Sequence, residues 1–385
     1  MVYNTKIEIC SRCIYDERTP AINFDEKGVC NYCHMVDDLL AQYKTGSDEG
    51  VKEFGEIVEQ IKKDGKGKKY DCVIGVSGGT DSSYMVIKAI EYGLRPLAVH
   101  YDNTWNTAIA AQNIRKLLDK LNVNLYTHVT DNKEADDIFK SFFKAEVPEM
   151  DASTDLALAE VLYRAANKLG VKYILEGHSF VTEGVSPLGT YYFDGKYIKS
   201  IHKKFGKSPM KTYPLMDFKS FMKWVAVKKI KKIRPLWYLP YDKGSARQIL
   251  QDEYGWEYYG GHHLENRMSA FTHSYWLPKK FNNDQRNNAF SAEARMGIRS
   301  REECIKEYGE EPYIEPELLN YVKKRLKITD KEFDDVIFHG NNKNFRDYPT
   351  YKKRFERLRP LFYSLAKANL VPMSFYIKYT SKSEL

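Results

Sequence analysis

The feature that most constrains the fold of this chain is a predicted strand-to-helix junction at residues 71–82, Asp-Cys-Val-Ile-Gly-Val-Ser-Gly-Gly-Thr-Asp-Ser. Its apolar run is typical of a strand that is buried on both faces. Gly78 and Gly79 follow the run, and glycines let the backbone turn tightly and approach a ligand closely. Three polar residues, expected to cap a helix that begins near Tyr84, come next: Asp81, Ser82 and Ser83. Because the first N–H groups of a helix are unpaired and carry partial positive charge, the junction predicts a phosphate-binding site.

The hexapeptide Ser77-Gly78-Gly79-Thr80-Asp81-Ser82 resembles the PP-loop of the N-type ATP pyrophosphatases. Those enzymes bind the β- and γ-phosphates of ATP, cleave between the α- and β-phosphates, and transfer AMP to an oxygen atom of the substrate. The resemblance implies that residues 77–83 bind ATP and that Asp81 takes part in catalysis. The alternative is a glycine-rich turn in another α/β protein, but the sequence has neither a Walker A pattern nor a Gly-x-Gly-x-x-Gly motif that opens a helix.

Composition places the chain among ordinary globular proteins. It has 385 residues, of which 43% are hydrophobic and 29% are charged, enough for one large domain and one or two smaller ones. No apolar run approaches membrane-spanning length, and the first residues lack the apolar stretch of a signal peptide. We therefore expect a cytoplasmic protein with no membrane partner.

Four cysteines near the start form two pairs with the spacing of a structural zinc site: Cys10, Cys13, Cys30 and Cys33. Two disulfides would be unexpected in a reducing cytosol. Four protein ligands leave no open position for water, so the predicted Zn²⁺ is structural. A redox-active or persulfide-bearing pair is the alternative.

Strand-like and helical patterns alternate after the cysteines, which indicates a Rossmann-like parallel sheet of about five strands with helices on both faces. The predicted strands are 73–76, 97–101, 125–129, 173–175 and a fifth around 235–239. The predicted domains are 1–50, with the zinc module and a leading helix; 51–260, with the PP-loop; and 261–385, with a substrate-site segment and a mainly helical C-terminal region.

Ligands of such sheets bind beyond the carboxyl ends of the strands, and two predicted loops there carry polar groups. The loop after the second strand contains Asp102, which either faces the nucleotide or is an ordinary turn acid. The loop after the fourth contains Glu176-Gly177-His178 and Glu183, and resembles the Gly-His…acid signature near ATP in PP-loop enzymes. His178 could instead be a cap or packing histidine. A carboxylate here could hold Mg²⁺, and we favour Glu183 over Glu176.

The segment that begins at Gly260 is dense in polar and aromatic side chains without a core pattern, which is typical of a site-forming segment. A surface loop or a metal cluster is the alternative. The candidate substrate residues of this segment and of the loop after the second strand are Trp105, Asn106, His262, His263, Glu265 and Arg267. Lys279 and Arg286 are candidates for neutralising the α-phosphate.

Nearly the whole chain resembles the N-acetyl sugar amidotransferases of bacterial surface-polysaccharide, lipopolysaccharide and flagellar nonulosonic acid pathways. The resemblance rests on these motifs: the cysteine pairs, the PP-loop, residues 102–106, residues 176–178, and the Gly-Gly-His-His-x-Glu-Asn-Arg stretch at 260–267 with residues 279–286 after it. The resemblance implies that ATP adenylates the acetamido oxygen of a nucleotide-activated sugar and that ammonia then yields an acetamidino group.

Ammonia needs a source, and none of the six cysteines has the Gly-x-Cys-x-Gly flanks of a nucleophile-elbow glutaminase. The resemblance implies a partner glutaminase and a cyclase-like subunit that channels ammonia. Residues 196–234 carry thirteen Lys or Arg against one acid, which suits a docking face, a nucleotide-sugar path, RNA or a solvated surface. A tRNA-modifying PP-loop enzyme is the alternative function, although thiolation lacks a candidate reactive cysteine. A non-catalytic nucleotide-binding protein is the third.

Overall fold

A computed structural model describes residues 7–187, 191–261, 264–368 and 370–382. Five parallel strands form one sheet in the order β3-β2-β1-β4-β5. The strands are β1 Cys72–Gly75, β2 Pro96–Asp102, β3 Leu125–Val129, β4 Tyr173–Leu175 and β5 Lys231–Ile233. The predicted α/β class and parallel sheet are confirmed.

The α-helices cover most of the remaining chain. They are α1 Asn31–Tyr43, α2 Asp48–Gly65, α3 Thr80–Glu91, α4 Ala108–Leu121, α5 Asn132–Ala145, α6 Ala152–Leu169, α7 Phe180–Glu183, α8 Gly195–Phe205, α9 Phe218–Met222, α10 Lys243–Tyr254, α11 Arg267–Phe271, α12 Arg286–Arg295, α13 Arg301–Tyr308, α14 Leu318–Leu326, α15 Asp330–Asp334, α16 Lys352–Arg357, α17 Arg359–Lys367 and α18 Met373–Thr380. Three π-helical segments are Lys223–Val227, Thr272–Lys280 and Asp335–His339, and two 3₁₀ turns are Pro235–Trp237 and Phe345–Asp347. The helical C-terminal region is confirmed, and no described helix is both long and apolar enough to cross a membrane.

Side chains of the sheet alternate between two apolar cores. Val73 and Ile174 pack with α5 and α6 on one face, whereas Ile74 and Leu175 pack with α2, α3, α4 and α10 on the other. Both faces are therefore covered, as the continuous apolar run of β1 requires. The loops that follow the strands meet at the carboxyl end of the sheet.

The fifth strand is not where the sequence pattern placed it. It comprises Lys231–Ile233, while Pro235–Trp237 forms a 3₁₀ turn. Proline has no N–H to donate to a sheet ladder, so it disfavours a strand there. An edge strand tolerates charged residues because it pairs with a neighbour on one side only. Lys232 of β5 forms an ion pair, 2.5 Å long, with Glu176, the residue that follows β4.

Two further boundaries differ from the predictions. Helix α3 begins at Thr80 rather than near Tyr84, with Gly79 as its N-cap and no side-chain cap. Asp81, Ser82 and Ser83 therefore lie in its first turn, which brings the free N–H groups of the helix closer to the glycines. The predicted domain boundary between residues 50 and 51 falls within α2.

Candidate ATP site and four-cysteine metal centre

The PP-loop, residues 77–82, forms a tight cradle between β1 and α3. Gly78 adopts a φ of +85°, and its carbonyl accepts a 2.9 Å hydrogen bond from the indole of Trp256. The Ser77 and Ser82 hydroxyl oxygens lie 3.3 Å apart, and the Gly79 N–H donates to the Ser77 Oγ at 3.3 Å. A β-carbon on Gly78 would lie 2.4 Å from the Ala110 carbonyl oxygen. The cradle therefore requires glycine for both its backbone angle and its packing.

Asp81 projects from the first turn of α3 into a polar cluster. Its carboxylate accepts hydrogen bonds from the Lys243 Nζ at 2.7 Å and the Tyr241 hydroxyl at 2.5 Å. Burial alone would lower the pKa of Lys243, but Asp81, Glu183 and Glu265 raise it above its ordinary value. The ammonium is thus held charged beside a predicted phosphate site. Sequence reasoning missed Lys243, although its place at the start of α10, soon after the fifth strand, was a usable signal.

The loop after β4 lies against the PP-loop. A β-carbon on Gly177 would lie 2.8 Å from the Asp81 carbonyl oxygen, so this glycine permits the close approach. Burial and the nearby Arg234 lower the pKa of His178 to about 4. The imidazole is therefore neutral at pH 7, and its Nδ1 accepts a 3.2 Å hydrogen bond from the Trp237 indole. Its Nε2 lies 3.5 Å from a Glu183 carboxylate oxygen.

The two candidate magnesium acids of this loop have different surroundings. Glu176 binds Lys232 at 2.5 Å and Arg234 at 3.2 Å. Although burial opposes ionisation, these cations lower the pKa of Glu176 to about 2. Glu183 instead lies near Asp81 and Lys243. A Mg²⁺ ion is commonly held by one or two carboxylates together with substrate phosphates, so the surroundings suit Glu183 better.

The loop after β2 is joined to the start of the third predicted domain. Asn106 and Asn266 form an antiparallel bridge, and the Thr107 N–H donates to the Glu265 carbonyl at 2.9 Å. This pairing brings Glu265 to the PP-loop, because a β-carbon on Gly79 would lie 3.8 Å from its carboxylate. Asp102 accepts hydrogen bonds from the Thr104 N–H and the Asn106 side chain, the contacts of a turn acid.

Two candidate substrate residues are engaged in packing. Trp105 is fully buried, and its indole donates to Asp136 at 2.9 Å. It is a core residue with no surface for a ligand, which corrects the sequence interpretation. Arg267 pairs with Glu315 at 3.3 Å and stacks on the Tyr321 ring. The candidates His262 and His263 lie outside the described residues.

Lys279 and Arg286 both pair with carboxylates of the C-terminal region. Lys279 binds Glu311 at 2.8 Å, and Arg286 binds Asp284 at 2.7 Å. The cation that contacts an acid of the PP-loop is Lys243. An α-phosphate role for Lys279 or Arg286 stays a prediction.

The four N-terminal cysteines converge on one buried point. Their sulfurs all lie within 4.8 Å of one another, and three of the separations are 3.7–3.8 Å. A tetrahedral ion with bonds of about 2.3 Å would hold its sulfurs about 3.8 Å apart. The spacing therefore fits a single four-thiolate metal ion, whereas a four-iron cluster places each thiolate on a different iron atom. His34 is not among these ligands and pairs with Asp25 at 2.9 Å.

A buried arginine lies beside this metal centre. The Arg295 Nε donates to the Cys33 Sγ at 3.2 Å, and the residue is only 5% exposed. Its two terminal nitrogens have no hydrogen-bond partner in the part of the chain that the structure describes. Four thiolates around a divalent ion leave two negative charges, and a buried charge is costly unless it is compensated. Arg295 supplies a compensating cation.

Replacing Arg295 with methionine should weaken metal binding. We expect a ten- to hundredfold loss of affinity, the usual effect of removing a group that supports a metal ligand. Competition for Zn²⁺ against a chromophoric chelator measures it. Arg299→Met is the matched control, because Arg299 pairs with Glu293 and Glu307 rather than with a cysteine. Equal affinities in the two variants would contradict the role of Arg295.

Comparison with known proteins identifies the C-terminal region. Residues 265–359 match the family model described as "LPS biosynthesis protein WbpG-like, C-terminal domain". An uncharacterized protein of Methanocaldococcus jannaschii is 30% identical over 172 residues, which are 44% of this chain and 58% of that protein. The chain thus spans little more than half the length of this relative.

Two solved structures are similar to this chain at low sequence identity. NMN synthetase from Francisella tularensis is 16% identical, with 60% of this chain and 94% of that chain covered and a TM-score of 0.28. The U34-tRNA thiolase from Methanococcus maripaludis is 12% identical, with 84% and 99% covered and a TM-score of 0.31. The family match confirms the predicted resemblance to surface-polysaccharide enzymes over residues 265–359. The chain thus carries a five-stranded parallel sheet with the Ser-Gly-Gly-Thr-Asp-Ser turn after β1, followed by a segment similar to the C-terminal domain of WbpG-like lipopolysaccharide-biosynthesis proteins.

Proposed function

We propose that this protein is an ATP-dependent amidotransferase that converts the acetamido group of a nucleotide-linked N-acetyl sugar to an acetamidino group. The observation that carries the proposal is the junction of the PP-loop with the first residues of the WbpG-like segment. Glu265 of that segment approaches Gly79, and its backbone pairs with the loop after β2. The candidate phosphate-binding turn and the start of the WbpG-like segment therefore lie at one end of the sheet, which supports the proposal.

The residues of the PP-loop suit the departure of pyrophosphate. The free N–H groups at the start of α3 and the hydroxyls of Ser77 and Ser82 would donate to phosphate oxygens. Lys243 would move between Asp81 and the phosphates, since it reaches the edge of the cradle. Mg²⁺, held by Glu183 and the phosphates, would supply further charge neutralisation.

The proposed reaction has two steps. The amide oxygen of the acetamido group attacks the α-phosphorus, a P–O bond forms, and pyrophosphate leaves with the electrons of the α–β bond. Ammonia then attacks the activated carbon, loses a proton, and expels AMP with the electrons of the C–O bond. A carbonyl oxygen is a poor leaving group, and adenylation makes its departure feasible.

We propose that a glutaminase and a channelling subunit supply the ammonia. The described cysteines outside the metal centre are Cys72 and Cys304, and both are buried. Burial raises the pKa of each thiol, so neither has the thiolate character of a glutaminase nucleophile. The four remaining cysteines occupy the metal centre, which we propose holds Zn²⁺.

AMP release by the purified protein tests the proposal. ATP, Mg²⁺ and ammonium chloride are supplied together with UDP-N-acetylglucosamine and related acetamido sugars, or with bulk tRNA. Sugar-dependent AMP, with a product in which NH replaces the carbonyl oxygen, is the expected result. AMP that depends on tRNA alone would assign the chain to the tRNA-modifying alternative. No AMP release with any of the sugars, although ammonia is supplied, would count against the proposal.

Replacing Asp81 with asparagine should reduce sugar-dependent AMP release about a hundredfold. The neutral amide can accept a hydrogen bond from Lys243 but forms no ion pair, so the ammonium loses the charge that positions it at the cradle. Metal content should stay unchanged, because the four cysteines lie elsewhere. Asp119→Asn, which removes an exposed acid on α4, should retain full activity. Normal turnover by the Asp81 variant would show that ATP binds elsewhere.

A further inference from the structure

A cavity of about 420 Å³ lies between the end of the sheet and the C-terminal helices. Glu176 and Arg234, the first residues after β4 and β5, line it where those two strands end. Both strands run parallel to β1, so this end lies at the same edge of the sheet as the PP-loop. Arg234 also stacks on Trp237, which donates to His178 of the candidate ATP site. The cavity therefore begins where the ATP site ends.

One wall of the cavity is aromatic. The rings come from the segment after α8 and from the C-terminal helices: Phe218, Phe221, Phe355, Phe375 and Tyr379. Phe375 stacks between two of them, with ring centroids 4.8 Å from Phe221 and 4.7 Å from Tyr379. Both faces of Phe375 are therefore occupied, and this stacking holds the wall rigid. The partly exposed rings, Phe218, Phe221 and Tyr379, present the apolar surface against which a planar base can pack.

The charged groups of the cavity fall into paired and available sets. Lys232 and Arg234 are tied to Glu176. Asp194 caps α8, and Asp217 caps α9 and pairs with Lys199. Lys378 forms no ion pair with the described residues, and its Nζ lies 5.0 Å from the centroid of the Phe193 ring. Burial lowers the pKa of Lys378, and the charge of Asp155, which also lines the cavity, partly offsets this. An available cation beside an aromatic wall suits a ligand that combines a phosphate with a planar base.

We propose that this cavity binds the nucleoside diphosphate of the sugar substrate, with the base on the aromatic wall and the diphosphate at Lys378. The sugar then extends toward Glu176 and the PP-loop, where its acetamido oxygen meets the α-phosphate. This placement rests on the proposed amidotransferase function. A neutral free sugar would use neither the aromatic wall nor the cation, so the nucleotide carries the recognition.

Calorimetric titration of the metal-loaded full chain without ATP tests the cavity separately from the reaction. The probes are UDP-N-acetylglucosamine, GDP-mannose and free N-acetylglucosamine. We expect at least one nucleotide sugar to bind and the free sugar to bind at least about a hundredfold more weakly. Equal binding of the free sugar, or no binding by either nucleotide sugar, would overturn the proposal.

Charge variants locate the binding. Lys378→Glu should weaken nucleotide-sugar binding about tenfold or more, whereas Lys378→Arg should retain it. Lys203→Glu reverses an exposed charge on α8 outside the cavity lining and should bind normally. If the Lys378→Glu variant bound the nucleotide sugar as tightly as the unchanged protein, the cavity would not be the nucleotide-sugar site. Binding that persists without any sugar-dependent AMP would instead contradict the amidotransferase reaction and leave the cavity assignment standing.

Discussion

Replacing Gly78 with alanine should abolish sugar-dependent AMP release, with a loss of a hundredfold or more. Two effects combine at this position. The φ of +85° disfavours any residue with a β-carbon, at a cost of about 1–2 kcal/mol. The added carbon would also lie 2.4 Å from the Ala110 carbonyl oxygen, so the loop or α4 must shift. Either shift misaligns the N–H groups of the cradle.

A second glycine separates the two effects. Gly67 has a φ of +78° but nothing within 4 Å of an added β-carbon. Gly67→Ala therefore carries the same backbone strain without the clash, and it should lose stability by about 1–2 kcal/mol while retaining activity. Chemical denaturation and AMP release, measured on both variants, give the comparison. An active Gly78→Ala variant would show that phosphate does not bind at this turn.

Replacing Cys30 with serine should release the metal and destabilise the N-terminal module. Metal binding contributes on the order of ten kcal/mol to such modules, and a hydroxyl is a far poorer ligand for a soft ion than a thiolate. The core around the cysteines is small, with Tyr15 and Tyr32 as its largest fully buried side chains. We expect zinc content, measured by atomic emission, to fall well below one ion per chain, and the module to become sensitive to protease.

Cys304→Ser is the matched control for this experiment. Cys304 is also buried, but it packs with Ile14, Phe290 and Tyr308 rather than with the other cysteines. The serine should cost some stability through burial of a hydroxyl and leave the metal content unchanged. A Cys30→Ser variant with full metal and an unaltered melting profile would contradict the four-thiolate assignment.

Local patterns predicted the parts of the site that lie close together in sequence. The PP-loop needs a buried strand, two glycines and a helix start within about a dozen residues, and each has its own signal. The cysteine pairs have the spacing that a single metal ion imposes on short turns. The predicted position of the fifth strand was wrong because Lys231–Ile233 is short and charged, whereas the apolar residues after Pro235 have a more strand-like pattern.

Contacts between distant segments decided the rest. Tyr241 and Asp81 are 160 residues apart, and Arg295 and Cys33 are 262 apart. No local sequence pattern predicts either contact, because many other tyrosines and arginines of the chain could equally donate a hydrogen bond to Asp81 or Cys33. Local sequence patterns were enough to predict the parallel α/β sheet, the glycine turn after β1 and the convergence of four cysteines, because backbone sterics and short ligand spacings specify these features. Lys243, Arg295 and the cavity beside Lys378 emerged from the folded chain, because packing of the C-terminal segments sets which side chains reach the end of the sheet and the cysteines.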